Sequence, residues 1–204
     1  MKNDKETKKK LVESAKKEFI EKGYSKASLR NICKDAGMTT GALYFFFQNK
    51  ADLFSAVVDE PLQRLKDVMW RHYNGEAEQF EQGDVAKDDF SDDMDSAKQI
   101  IHYMYQNYDV FQLLLTKSQG SKYENFIDEF VAVTELHYRE MVKQAKEKLG
   151  KNTFDDYMIH WMSHIHIDVF VHMITHEPDE DKAIQHVEQT VRYLIASWKA
   201  MLNG

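Results

Sequence analysis

SLRNICKDAGMTTGALYFFFQNK, residues 28–50, reads as helix, tight turn, helix. Leu29, Ile32, Cys33 and Ala36 recur at helical spacing, and Gly37 stands where a helix ends in the left-handed region. A second, short helix therefore starts at Thr39 or Thr40. Two helices joined this closely form a helix-turn-helix. Met38, Leu43 and Phe47 can face the first helix, which leaves Thr39, Thr40, Ala42, Tyr44 and Phe45 for the outer face that a recognition helix turns to the major groove. The pattern fits an αα-hairpin without a ligand as well, so the surrounding residues have to decide.

With the preceding TKKKLVESAKKEFIEKGYSKAS, this stretch resembles the N-terminal domain of TetR-type transcriptional regulators over about residues 7 to 58. The resemblance rests on Phe19, Gly23, Tyr24, Ser28, Ile32, Ala36-Gly37, Gly41, Leu43-Tyr44, Phe47 and Lys50-Ala51-Asp52-Leu53-Phe54. It implies an all-α protein with a three-helix helix-turn-helix domain at 1–48 and a larger ligand-binding and dimerisation domain at 49–204. It further implies a homodimer that binds a double-stranded DNA operator and lets go when a small-molecule effector, here unknown, is bound. The DNA-binding set on this reading is Ser28, Arg30, Thr39, Thr40, Gly41, Ala42, Tyr44, Phe45 and Lys50, with Ser28, Tyr44 and Lys50 meeting phosphates. One departure is Phe46, where the family often has a His or Tyr. It keeps a second reading open, a metal- or small-molecule-binding helical sensor without specific DNA binding.

Charge divides along the chain. The net charge is −7, yet residues 1–50 hold 12 Lys/Arg against 6 Asp/Glu, and residues 51–204 hold 15 against 28. A basic end can bind a polyanion by releasing condensed counterions, whereas an acidic body is repelled from phosphates. Two prolines and eight glycines in 204 residues leave helix as the dominant structure. One cysteine excludes an internal disulfide, and Cys33 on an apolar helix face reads as a buried, inert thiol. No run of 18 apolar residues occurs, which points to a cytoplasmic protein without a membrane partner.

The first helix is expected over Lys5–Lys22 with Gly23 as its stop, and Ser28 as the cap of the second. A longer helix from Lys50 should end at Asn74-Gly75 and kink or break near Val57 because of Pro61. Residues 75–96 read as an acidic loop whose aspartates lack EF-hand spacing. Three further helices fit Asp95–Asn107, Asp109–Lys117 and Tyr123–Leu149. Aromatic and methionine-rich faces suggest an adaptable apolar pocket, with Tyr103, Phe111, Phe130, Trp161, Met162 and Ile165 as its candidate lining.

Asp155–His176 is apolar over more than half its circumference and should be buried on two sides. The last helix, Asp179–Leu202, repeats Ile184, Val187, Val191, Leu194 and Trp198 at spacings of three and four. That is a seam for a partner helix, read as a dimer interface, with an intrachain bundle as the alternative. His160, His164, Asp168, His172 and His176 form a row spaced by four. Neighbouring pairs can chelate Zn²⁺, but the row drifts about 40° per step and cannot all serve one ion. The expectation is therefore histidines hydrogen-bonded in place, with no metal or other cofactor. HExxH, phosphate-binding glycine loops, GxSxG and paired cysteines are all lacking, so no catalytic residues are assigned and the chain does not read as an enzyme.

Overall fold

The computed structural model describes residues 2–81, 91–149 and 154–203. Among them every regular element is a helix: α1 (Lys2–Lys26), α2 (Leu29–Asp35), α3 (Thr40–Phe46), α4 (Lys50–Glu81), α5 (Ser91–Gln106), α6 (Tyr108–Lys117), α7 (Phe126–Leu149), α8 (Asp156–His176) and α9 (Glu180–Asn203). The architecture is all-α, a helix-turn-helix followed by a larger helical body.

Gly23 interrupts α1 as expected. Its φ of 75° and ψ of 163° are not helical, and the residues after it form a separate turn. A Cβ on Gly23 would lie 3.4 Å from the Lys117 backbone oxygen, so α6 approaches α1 where a side chain is missing.

One expectation fails at α4. The helix does not stop at Asn74-Gly75 but runs on to Glu81, and of the kink or break expected near Val57 the break does not occur, since Pro61 lies inside the continuous helix. Leu62, Leu65, Met69 and Tyr73 are all buried at helical spacing up to that point, and a single glycine costs a helix only about 1 kcal/mol. Likewise α5 begins at Ser91, four residues before the expected start, so Asp92, Asp93 and Asp95 lie in its first turns. Asp88 and Asp89 of the expected acidic loop fall outside the described residues.

Compactness groups the chain into two units. One takes the residues up to Arg64 together with Asn107–Phe126, and the other takes Leu65–Gln106 with the chain from Ile127 onward. In the first, Leu11, Ala15 and Phe19 of α1, Ile32 and Cys33 of α2, Leu43 of α3, Leu53 and Phe54 of α4 and Phe111 of α6 make one core. Phe54 stands at its centre, with rings of Phe19, Tyr24 and Tyr123 at 4.9, 5.0 and 5.7 Å. Lys117 donates to the Ile20 carbonyl (2.6 Å) and Ser25 to that of Gln119 (2.6 Å), which fixes α6 along α1. Tyr123 donates its hydroxyl toward Ser55 (2.8 Å) and Asp59, and burial, reinforced by Asp59, pushes its phenol above the ordinary range.

In the second unit α9 lies antiparallel along α5, since Lys98 pairs with Glu188 (2.6 Å) and His102 with Glu180 (2.6 Å). α9 also packs on α8. Val187 is fully buried and Val191 is 7% exposed within a single chain, alongside Ala183, while Ile184, Leu194 and Trp198 are half-buried. The seam read as a dimer interface thus closes inside one chain over Val187 and Val191. The physical reason is that a regular apolar stripe specifies a helical neighbour without saying from which chain, and within this chain α9 packs on both α5 and α8.

The expected two-sided burial of α8 is also not met in one chain. Ile159, Ser163, Ile167, Phe170 and Ile174 face inward, whereas Tyr157 is 71% and Trp161 49% exposed. His160, His164, Asp168, His172 and His176 are exposed with them.

Candidate nucleic-acid interface

The turn between α2 and α3 is built by its backbone. Gly37 has φ +66°, its N–H donates to Lys34 O (3.2 Å), and the Met38 N–H reaches back to Cys33 O (2.8 Å). This is the paired closure that satisfies the last carbonyls of a helix and turns the chain sharply. Thr39 then caps α3, its hydroxyl oxygen accepting from the Ala42 N–H at 3.1 Å. Acceptance leaves the Thr39 O–H free to donate outward.

Leu43 is fully buried and Phe47 2% exposed, so α3 is pinned by these two side chains and by half-buried Met38. Its other side faces solvent. Thr39, Thr40 and Gly41 are exposed, Ala42 is half-buried, Tyr44 is 57% and Phe45 77% exposed. Phe46 is half-buried and sets its ring edge-on to Phe45 at 4.9 Å. Two aromatic rings held out in water on a short helix forgo hydrophobic stabilisation, a cost a folded chain rarely keeps without a surface to meet.

Around this face the structure places the other expected residues. Arg30 is exposed on α2 and makes no ion pair among the described residues. Ser28 precedes α2 in extended conformation, but its side chain does not cap the helix. The capping expectation fails; what holds this end of α2 to α1 is Glu18, whose Oε1 accepts from the Ser28 N–H (3.0 Å) and from the Asn31 side-chain Nδ2 (3.2 Å). Cys33 is 3% exposed, and burial pushes its thiol above the usual range.

Lys50, which the resemblance puts among the phosphate ligands, also has partners inside the chain. Its ammonium donates to the Ser25 carbonyl (3.1 Å), approaches that of Ala27 (3.5 Å), and lies 4.7 Å from the centre of the Tyr24 ring. The carbonyls at the end of α1 carry partial negative charge, and they stabilise the lysine there from within the chain. Capping of α4 falls to Asn49, which accepts from Asp52 N (2.9 Å), while Asp52 accepts from Gln48 N (3.0 Å). The polar pair three residues apart was a readable signal for that start. Glu18 and Tyr24, by contrast, carry no local signature of their roles.

The candidate pocket residues do not share a unit. Phe111 is fully buried in the first. In the second, Phe130 is 5% exposed, Tyr103, Met162 and Ile165 are half-buried, and Trp161 is on the surface. Sequence reading missed an aromatic group in this unit, with Tyr73 and Phe154 buried and the other rings half-buried. Tyr138 stacks on Trp198 (4.8 Å) and its hydroxyl meets His166 Nδ1 (2.7 Å), Phe154 lies on Trp198 (4.6 Å), and Tyr73 stacks on His137 (4.2 Å) and bonds Thr134 Oγ1 (2.8 Å). No helix among the described residues is long and apolar enough to cross a membrane.

The profile of bacterial regulatory proteins of the tetR family matches residues 11–57, which covers α2, α3 and the start of α4. Over 54 residues the chain is 39% identical to the HTH-type transcriptional regulator TtgR of Pseudomonas putida, spanning 26% of each chain. It is 42% identical over 52 residues to the regulator AcrR of Shigella flexneri, 26% of this chain and 24% of that one. The matches therefore span about a quarter of those relatives' length. Among solved structures, a transcriptional regulator from Aquifex aeolicus superposes with TM-score 0.59 at 18% identity, covering 92% of this chain and 99% of that one. NalD of Pseudomonas aeruginosa, the secondary repressor of the MexAB-OprM multidrug efflux pump, superposes at 0.60 with 19% identity, covering 92% and 95%. At that identity the likeness extends the shared fold over nearly the whole chain and says nothing of ligands.

Proposed function

We propose, from the match of residues 11–57 to the tetR family of bacterial regulatory proteins, that this chain is a DNA-binding transcriptional regulator that acts as a homodimeric repressor and leaves a palindromic operator when a small molecule binds its larger helical part. The observation that carries the reading is the outer face of α3: Thr39, Thr40, Gly41, Tyr44 and Phe45 stand in solvent on a helix held from behind by Leu43 and Phe47. Thr39, Thr40 and Phe45 are the base-reading set, and Ser28, Tyr44 and Lys50 the phosphate set. Two of the three Lys50 ammonium protons point at carbonyls, which leaves one for an oxygen outside.

Two copies meet through the exposed sides of α8 and α9, with Tyr157, Trp161 and Tyr193 at the contact. These are the large apolar side chains that one chain leaves in water there, at 71%, 49% and 70% exposure. The effector acts through α4, which belongs to both compact units. A coupling of about 1–3 kcal/mol changes operator affinity roughly 5- to 150-fold, and an effector supplies it only by binding the DNA-incompetent state more tightly. Buried Tyr73 and the half-buried rings of His137, Tyr138, His166 and Trp198 favour a lipophilic or cationic effector with a flat face. Anisotropy of a fluorescent duplex titrated with the full chain tests the DNA-binding core of this reading. Binding that survives Phe45→Ala and Tyr44→Ala together, or that ignores salt, speaks against it.

A further inference from the structure

The exposed side of α8 carries a row that reads the same from either end. His160, His164, Asp168, His172 and His176 follow one another by four, symmetric about Asp168, and all five are exposed in the single chain. The histidines are already paired: ring centroids of His160 and His164 lie 4.6 Å apart, and those of His172 and His176 4.2 Å.

The outer member of each pair has one nitrogen committed. His160 Nδ1 lies 3.2 Å from Glu135 Oε2. Glu135 is ion-paired with Arg139 (2.7 Å), and as a carboxylate it only accepts. Nδ1 then carries the proton and the lone pair of the neutral ring sits on Nε2. His176 Nδ1 lies 3.2 Å from the His172 carbonyl and 2.8 Å from Thr175 Oγ1. A carbonyl also only accepts, which again leaves Nε2 for a ligand. An acceptor behind the imidazole is what orients histidines on metal ions and raises their basicity. Among the described residues nothing hydrogen-bonds the rings of His164 and His172.

We propose that this row is a site for a divalent transition ion of the zinc class, completed by a second copy of the chain: His160 and His164 of one protomer meet His176 and His172 of the partner subunit. The inference rests on the dimer through α8 given above. Within one chain no three His, Cys, Asp or Glu among the described residues are grouped so as to hold an ion, and a pair is half of a tetrahedral set. An antiparallel approach about a twofold axis at Asp168 brings each pair against the opposite pair of the other copy. A row at i, i+4 is a ridge about 26° off the helix axis, and two such ridges run side by side when helices cross at about −50°. The row advances about 6 Å per step, so two clusters of four imidazoles stand about 18 Å apart, with the two Asp168 carboxylates between them. The row is self-complementary, as a twofold contact requires. In a buried helix these imidazoles could satisfy one another, but their exposure removes that explanation.

The test uses the full chain stripped with EDTA, to which Zn²⁺ or Ni²⁺ is returned, with retained metal and sedimentation both measured. One ion per chain is expected after dialysis. The dimer dissociation constant should tighten about tenfold per site when the free ion is about ten times its own dissociation constant. His164→Ala, an exposed change checked for intact helix content, abolishes both effects because symmetry places it in both clusters, and His186→Ala on α9 leaves them. No retained ion overturns the site while a dimer in EDTA leaves the dimer reading standing. Two ions per chain with unchanged association also overturns it, since each pair then acts alone. A chain monomeric with and without ions overturns the dimer reading and this inference together.

Discussion

Replacing Lys50 with methionine keeps an unbranched stem beside Tyr24 and removes the ammonium. The structure assigns that ammonium a hydrogen bond to the Ser25 carbonyl at 3.1 Å, a marginal one to Ala27 at 3.5 Å, and a place 4.7 Å from the Tyr24 ring centre. A charged hydrogen bond contributes about 1.5–3 kcal/mol when well shielded and the ring contact about 0.5–1. Lys50 is only half-buried, so solvent screening brings the sum to about 1–2 kcal/mol. For a chain of this length that lowers Tm by roughly 2–8 °C. The same protein, mixed with a short duplex at increasing salt, reads the second role. If the third ammonium proton meets a phosphate in each copy, the slope of log affinity against log salt flattens by about 0.9 per chain, or about 1.8 for a dimer. Circular dichroism melts and fluorescence anisotropy measure the two effects separately. A Tm unchanged to within about 1 °C refutes the carbonyl tie, and an unchanged salt slope refutes the phosphate contact.

Phe45→Ala should leave the melting profile unchanged, because the ring is 77% exposed, while lowering duplex affinity about tenfold or more; equal affinities would show that the ring does not touch DNA. Gly37→Ala places a Cβ with nothing within 4 Å at φ +66°, so urea unfolding should report only the backbone cost of about 1–2 kcal/mol. Val191→Asp buries a charge inside one chain and should unfold it, whereas Tyr193→Asp, at a site 70% exposed, should keep the fold and yield monomers in sedimentation. A folded monomeric Val191→Asp would return that residue to the dimer contact.

The helix-turn-helix was legible because its signals are local. A glycine at the turn, a threonine cap and apolar positions three and four apart each fix a conformation within a few residues, and the structure keeps them at Gly37, Thr39, Leu43 and Phe47. What was not legible came from longer range. Asn74-Gly75 is a helix stop by propensity, yet α4 crosses it and runs to Glu81. The resemblance offered Lys50 as a phosphate ligand, and only the fold brings the end of α1 beneath it. Val187 and Val191 announced a helical neighbour, but α5 and a second chain leave the same periodicity in sequence. The row on α8 shows the converse: its spacing was plain, and its meaning turned on exposure, which periodicity did not reveal for a helix apolar over most of its circumference.

Selection of bound duplexes from a randomised pool by the full chain tests the central claim most directly. Arg30 is the one residue near α3 suited to a guanine, and the face of Thr39, Thr40, Ala42 and Phe45 suits thymine methyls. The enriched sites should therefore be twofold-symmetric and rich in A·T pairs, with half-sites one helical turn apart, about 34–36 Å centre to centre. A pool that stays unenriched, or that converges on asymmetric or wholly G·C sites, contradicts a dimer reading DNA through α3.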